Sequence, residues 1–264
     1  MLLPLIRNVL KEKNGLCSGG ADKGKIWLRA LKASCLHLFF PSRCLHCREF
    51  LSPDPAVLCM SCASLLELLN PQDFCPSCFN IKEEDDPLCL HCLHFPSLFF
   101  RMAAAFDYEG PAGSLIKHLK YFNQPYLAKG AAAFLLAQFF RLKWPIPDAL
   151  VPVPLSRSHW IARGYNQSAL IAEELAALLQ VPVWHALKRT GDPYSQAGLL
   201  FEQRQRLEKE AFKLKKTYSI QDKTLLLIDD VMTTGATLRH CAETLSEGYP
   251  CALYSLTFCR TKIV

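Results

Sequence analysis

Between residues 44 and 92 the chain carries four Cys-x-x-Cys pairs, Cys44/Cys47, Cys59/Cys62, Cys75/Cys78 and Cys89/Cys92, and no other feature restricts its folding so tightly. Each pair sets two thiols on one tight knuckle, and two knuckles complete the tetrahedral four-sulfur shell that zinc favours. Taken in chain order, the pairs give two structural zinc sites, one from Cys44, Cys47, Cys59 and Cys62 and one from Cys75, Cys78, Cys89 and Cys92. The intervals between pairs are eleven, twelve and ten residues, so a cross-braced or nested pairing stays open. His46 and His91 sit inside Cys-Leu-His-Cys knuckles and read as exposed knuckle positions rather than ligands. Buried thiols or redox pairs fit four such repeats poorly. The other cysteines, Cys17, Cys35, Cys241, Cys251 and Cys259, share no such spacing and read as core or incidental thiols.

The compartment agrees with metal. Met1 to Ile6 meets Arg7, then Lys11 and Lys13, before a secretory apolar region develops, so a cytoplasmic address is expected, where thiols stay reduced or bind metal. The most apolar stretch, Ala131 to Phe140, is too short for a bilayer, which needs about 20 residues, so membrane insertion is not expected.

Composition changes along the chain mark four regions. Residues 1–25 are weakly patterned and expected to be loosely ordered, and 26–43 read as a lead-in helix, amphipathic from Ile26 to Phe40. Residues 44–95 read as a double zinc ribbon punctuated by prolines 53, 55, 71, 76 and 87. Leu65 to Leu69 is its main apolar run, so metal must supply folding free energy that so small a core cannot. Glu83 to Asp86 reads as a solvated face.

Residues 100–264 alternate strand-like and helix-like segments. Strands are expected at Met102–Tyr108, Ala149–Val153, Val181–Trp184, Phe212–Lys215, Thr224–Ile228 and Cys251–Phe258, and helices at Ala112–Tyr121, Tyr126–Leu142 and Gln167–Leu179. This predicts an α/β domain with a mainly parallel sheet flanked by helices, in which ligands collect beyond the carboxyl ends of the strands. One such end is distinctive. Leu225 to Ile228 reads as a strand buried on both faces, and Asp229 and Asp230 arrive where it should end. Val231, Met232, Thr233, Thr234, Gly235, Ala236 and Thr237 then lead into a helix expected to begin near Thr234. Open backbone amides at that start, with the threonine hydroxyls, suit a phosphate without any lysine. The carboxylates can accept hydrogen bonds from sugar hydroxyls beside it. A plain strand-turn-helix corner is the alternative.

Val151-Pro-Val-Pro-Leu-Ser-Arg157 follows a strand, and Arg163-Gly-Tyr-Asn-Gln-Ser168 precedes a helix that Asn166 can cap. Arginines suit bidentate anionic groups, but Arg157 and Arg163 read equally as surface residues of a helix-entry loop. From Lys188 to Arg206 runs a loop with Gly191 and Asp192-Pro193 in front and charge behind.

The run from Asp229 to Thr237 resembles the phosphoribosyl-diphosphate (PRPP) signature of type I phosphoribosyltransferases. The resemblance implies that Asp229 and Asp230 hold the ribose hydroxyls and that the turn through Thr237 wraps the 5′-phosphate. It also implies a diphosphate-binding loop after an early strand, with Arg157 and Arg163 as its candidates, Mg²⁺ arriving on the diphosphate, and a mobile flap in which Arg189, Gln196 and Arg204 are candidate contacts. With the Cys-x-x-Cys repeats, Val-Pro-Val-Pro and Arg-Gly-Tyr-Asn-Gln in this order, the chain from about Leu28 onward resembles the ComF/GntX family of competence-associated proteins. That implies a double zinc ribbon joined to a phosphoribosyltransferase-type domain that assists uptake or processing of single-stranded DNA, with DNA-uptake proteins as partners. Leu207 departs from the pattern, which commonly has Asn three residues after the flap arginine.

No single segment displays a base pocket, so an active salvage transferase, a ligand-binding adaptor and a zinc-organised interaction module with a degenerate sugar-phosphate site all remain open. Charge bears on DNA. Residues 101–264 hold 20 Lys and Arg against 14 Asp and Glu, while residues 1–100 balance at ten each. Lys213, Lys215 and Lys216 beside Tyr218, and Lys117, Lys120 and Tyr121 beside Phe122, offer cations next to rings that can stack on bases. A surplus of six is modest for a dedicated nucleic-acid binder, and each cluster alone reads equally as a solvated face.

Overall fold

The computed structural model describes residues 42–51, 56–83, 86–95, 97–190 and 211–262. The expectations for residues 1–25 and Ile26–Phe40, and the candidates Gln196 and Arg204, lie outside these. The chain divides into two compact units, Met1–Ser64 and Leu65–Val264.

In the smaller unit the first knuckle closes on its own backbone. The Cys44 amide donates to the Glu49 carbonyl at 2.8 Å, the Arg48 amide donates back to the Cys44 carbonyl at 3.1 Å, and Arg43 and Phe50 form an antiparallel bridge. Arg48 takes a left-handed conformation, φ 67°, to turn the chain. Cys59 then starts the short helix α1, Met60–Ala63, its carbonyl accepting the Ala63 amide at 2.8 Å.

The larger unit opens with the same construction. Cys75 donates to Asn80 at 2.7 Å, Phe79 donates to Cys75 at 2.8 Å, Phe74 and Ile81 form the bridge, and Phe79 has φ 61°. Helix α2, Leu90–His94, begins after Cys89, whose carbonyl accepts the Leu93 amide at 3.1 Å. Between the two copies Leu65–Leu69 forms no helix, and the Leu69 amide donates to the Ala105 carbonyl at 2.9 Å.

A four-stranded parallel sheet follows in the order β1-β6-β5-β2, with β1 Arg101–Asp107, β2 Ala149–Pro152, β5 Thr224–Met232 and β6 Ala252–Arg260. Helices α3 (Gly110–Tyr121), α4 (Leu127–Leu142), α5 (Arg157–Arg163), α6 (Gln167–Leu179) and α7 (Ala236–Ser246) complete the α/β domain. The continuous apolar run of β5 is explained by its central position: Leu225, Leu226, Leu227 and Ile228 are all fully buried. Burying each such side chain contributes roughly 1.5–3 kcal/mol. Phe106 and Phe258 meet at 5.1 Å between ring centres, joining β1 and β6. Among the described residues, no helix is long and apolar enough to cross a membrane.

Three local expectations are corrected. Val181–Trp184 does not form a strand; only Val183 bridges Leu150. Phe212–Leu214 is strand β4, but it pairs antiparallel with β3, Leu187–Arg189, outside the main sheet. The stretch between Arg157 and Arg163, expected as loop, is helix α5, capped by the Ser156 hydroxyl, which accepts the His159 amide at 3.3 Å. A seven-residue helix with no buried residue has no long apolar stripe to announce it.

Candidate functional site

The four sulfurs of Cys44, Cys47, Cys59 and Cys62 lie within 4.8 Å of one another, as do those of Cys75, Cys78, Cys89 and Cys92. The pairing is sequential. A zinc ion with bonds of about 2.3 Å in a tetrahedron sets its sulfurs about 3.8 Å apart. The Cys47–Cys59 and Cys78–Cys89 contacts, at 3.6 and 3.5 Å, fit that shell, so both groups could hold zinc. Burial opposes ionisation of Cys44, but the amides of Cys59, Cys47 and His46 aim at its sulfur and outweigh it, bringing the thiol down to about 6. In the second group burial again opposes, and the amides of Cys89, Cys78 and Ser77 lower Cys75 in the same way. Of the remaining thiols, Cys241 and Cys259 are buried in the core and Cys251 is exposed. Cys17 and Cys35 lie outside the described residues.

The second group is fastened to the sheet by a backbone bond, the Met102 amide donating to the Pro76 carbonyl at 2.9 Å, and by one side chain. Arg260, at the end of β6, is 3 % exposed. Its Nε donates to the Asp107 carboxylate at 2.9 Å, its Nη1 donates to the Phe79 carbonyl at 2.9 Å, and its guanidinium lies 4.4 Å from the Phe74 ring centre.

Strand β5 runs four residues further than expected, through Asp229, Asp230, Val231 and Met232, because β6 continues beside it with Thr257 across from Asp229 and Arg260 across from Met232. On its other side β2 stops at Pro152, across from Ile228. The Asn166 side chain spans the break: its Nδ2 donates to the Val153 carbonyl at 2.9 Å, and its Oδ1 accepts the Ser168 amide at 3.1 Å, capping α6 as expected. The Ser168 hydroxyl then donates to Asp229 at 2.8 Å, and the Asp230 amide donates to the same oxygen at 2.9 Å. Burial, and then the neighbouring Asp230 charge, pushes the Asp229 carboxyl up to about 7.

Asp230 has a different partner, drawn from the basic cluster at the end of α3. Lys120, near the end of α3, sets its ammonium 2.8 Å from the Asp230 carboxylate. Burial alone would lower this lysine, but Asp230, by charge and hydrogen bond, and then Asp229 hold it above its usual value. Lys120 is therefore not an exposed cation beside Tyr121, and the cluster with Lys117, Tyr121 and Phe122 loses its central member as a DNA surface. No motif signals this contact, which joins α3 to β5 across more than a hundred residues.

After Met232 the chain turns with Gly235 at φ 74°, the left-handed region that favours glycine, and α7 starts at Ala236 rather than near Thr234. Thr233, Thr234 and Thr237 are exposed around it, with Val231 and Ala236 partly covered. The Thr234 hydroxyl accepts the Ala236 amide at 3.4 Å. Thr233, Thr234 and Gly235 also wall a cavity of about 600 Å³, whose other side includes Phe95, Phe99 and Met102.

The two diphosphate candidates part company. Arg163 lines a cavity of about 860 Å³ with Lys120, Tyr121 and His159; its guanidinium donates to Gln167 at 3.2 Å and lies 5.2 Å from the Tyr121 ring centre. Arg157 lines another, of about 330 Å³, with Trp160, Lys188, Arg189 and Lys215. Helix geometry accounts for the split: six residues apart, the arginines differ by about 9 Å in height and about 120° in direction. Arg189, on β3, lies 5.4 Å from the Phe212 ring centre. Of the other basic cluster, Lys213 is exposed on β4, and Tyr218 stacks on Trp184 at 5.9 Å rather than standing alone.

Comparison with known proteins agrees with this architecture. Residues 166–263 match the phosphoribosyl transferase domain family. The chain is 30% identical over 215 residues to competence protein F of Haemophilus influenzae, covering 79% of this chain and 93% of that protein. It is 30% identical over 231 residues to the DNA utilization protein YhgH of Escherichia coli, covering 85% of this chain and 99% of that protein. Competence protein ComFC of Bacillus subtilis is 28% identical over 218 residues, covering 80% of this chain and 87% of that protein. With two four-cysteine groups ahead of a phosphoribosyltransferase domain, and relatives matched over nearly their whole length, this chain belongs to the ComF family.

Proposed function

We propose that this protein binds PRPP as its Mg²⁺ complex and acts as a ligand-binding component in the handling of incoming single-stranded DNA. Asp229 and Asp230 take the ribose hydroxyls, residues 231–237 wrap the 5′-phosphate, and Arg157, Arg163 and Arg189, with Gln196 and Arg204 of the flap, are the diphosphate and flap contacts. One observation carries the reading: an acid pair on the central strand, Asp230 buried and Asp229 partly so, runs directly into a left-handed glycine turn rimmed by exposed threonine hydroxyls. Backbone amides at such a helix start favour an anion. The acids suit hydroxyl groups better than a bare divalent ion, because Asp230 already has an ammonium partner and Asp229 resists ionisation. Mg²⁺ would therefore come with the diphosphate, keeping several waters and few protein ligands. The names of the relatives, competence and DNA utilization proteins, support the DNA setting.

A second reading, transfer of the phosphoribosyl group to a flat acceptor, is favoured by the 600 Å³ cavity at the turn. No one segment builds it: Phe95 and Phe99 come from beyond the last cysteine pair and Met102 from β1. Calorimetry with PRPP and Mg²⁺ tests the first proposal. Wild type is expected to bind, and Asp230→Asn to lose at least tenfold in affinity; a wild type that fails to bind refutes it. Diphosphate release with a panel of nucleobases separates carrier from enzyme.

A further inference from the structure

We propose that Lys120 is a further ligand-binding residue of this site, holding Asp230 with one N–H and meeting the diphosphate of the phosphosugar with the others. The inference rests on the PRPP reading above and adds a residue from α3, outside the run that suggested the site.

Three observations lead to it. First, the pair is buried but reachable: the side chains of Lys120 and Asp230 are 16% and 8% exposed and 2.8 Å apart. An ammonium has three donors, and one carboxylate oxygen accounts for one of them. Second, Lys120 also lines the 860 Å³ cavity that holds Arg163 and His159, with no carboxylate among the described lining residues. A cavity to which Lys120 and Arg163 bring two positive charges, next to an acid pair suited to ribose hydroxyls, favours the most negative part of the ligand. Third, Arg163 reaches this cavity from α5 and Lys120 from α3, so a diphosphate there would be held from two separate elements. A lysine, as a compact charge on a flexible stem, can shift toward such a group without moving its helix. Lys120 would thereby join the two halves of the ligand, touching the acid that takes the ribose and the diphosphate that the ribose carries.

A lysine present only to neutralise Asp230 would treat any ribose phosphate alike. The test is therefore calorimetry on the full zinc-loaded chain with two ligands, PRPP with Mg²⁺ and ribose 5-phosphate, which lacks the diphosphate. Lys120→Gln is expected to reduce the preference for PRPP over ribose 5-phosphate about tenfold, the worth of one charge-assisted hydrogen bond. Lys120→Arg is expected to retain most of the preference. Equal losses for both ligands, or none, would overturn the inference while leaving the PRPP reading standing; a wild type that binds neither ligand overturns both. If Lys120→Gln does not fold, Lys120→Gln/Asp230→Asn, which leaves neither charge alone, is titrated against Asp230→Asn. The same loss of preference supports the role, and an unchanged preference ends it.

Discussion

The two cysteine groups share a backbone and differ in what they do with it. Offsetting the first knuckle by 31 residues maps Arg43, Cys44, Arg48 and Phe50 onto Phe74, Cys75, Phe79 and Ile81, with the same amide contacts and the same left-handed residue. In the smaller unit the first and third of these positions are arginines. Arg48 is exposed, and the Arg43 guanidinium covers Phe50 at 4.2 Å. In the larger unit the same two positions are phenylalanines: Phe79 is 1 % exposed, stacks on Phe74 at 4.5 Å, and gives its carbonyl to Arg260. A knuckle that metal can close by itself becomes part of a neighbouring core when two side chains on its rim change from charge to ring. The copies thus show how one local solution serves two purposes, a self-contained clip and a built-in wall.

The largest expected effect comes from removing metal from each copy in turn. Structural zinc can supply about 10–16 kcal/mol of binding free energy. Cys75→Ser/Cys78→Ser is expected to lower the thermal midpoint of the larger unit sharply and to weaken PRPP binding at least tenfold, whereas Cys44→Ser/Cys47→Ser removes one zinc with a much smaller effect on both. Elemental analysis, melting curves and calorimetry read all three, and equal losses from both variants would erase the distinction. Next comes Arg260→Met, which leaves the Phe79 carbonyl without its donor and Asp107 with only the longer Lys262 contact at 3.7 Å. Losing one partner of a fully buried pair costs about 3–5 kcal/mol, and the loss here falls below that because Asp107 is 18% exposed and keeps Lys262. A chelator should then strip one zinc faster while the other leaves at its wild-type rate; release of both at wild-type rates would deny that Arg260 fastens the second group. The smallest effect has a sign that depends on the copy. Glycine relieves a left-handed conformation worth roughly 1–2 kcal/mol, so Arg48→Gly should slow zinc release slightly. Phe79→Gly makes the same relief but gives up a buried ring worth about 3–5 kcal/mol, so it should destabilise. Matching signs would break the comparison.

Much of this was legible because it is local. Four Cys-x-x-Cys pairs at near-equal spacing disclose two four-sulfur groups, and an apolar run ending in two acids, a glycine and three threonines discloses a central strand and the turn that leads into a helix. Asn166 could be recognised as a cap because its partner, Ser168, is two residues away. The contacts that join distant segments were not legible. Lys120 looks like one more cation on a helix beside Tyr121 until α3 brings it to Asp230, and Arg260 looks like a strand end until it meets Phe79 across 181 residues. Helix α5 was hidden for another reason: its cap is a single serine and it buries no apolar face, so neither end nor stripe distinguishes it from a loop.

The early stop of β2 has a consequence for anyone wishing to graft this site onto another protein. Pro152 ends the strand, Val153 offers its carbonyl to Asn166, and Asn166 delivers Ser168 to Asp229. The seat of the first acid is therefore gauged by the length of the adjacent strand. Transplanting residues 225–238 alone would carry both carboxylates and the turn but leave behind the hydroxyl and the lysine that set them. The transferable unit is the central strand together with the blunt end of β2, the first turn of α6 and the last turn of α3.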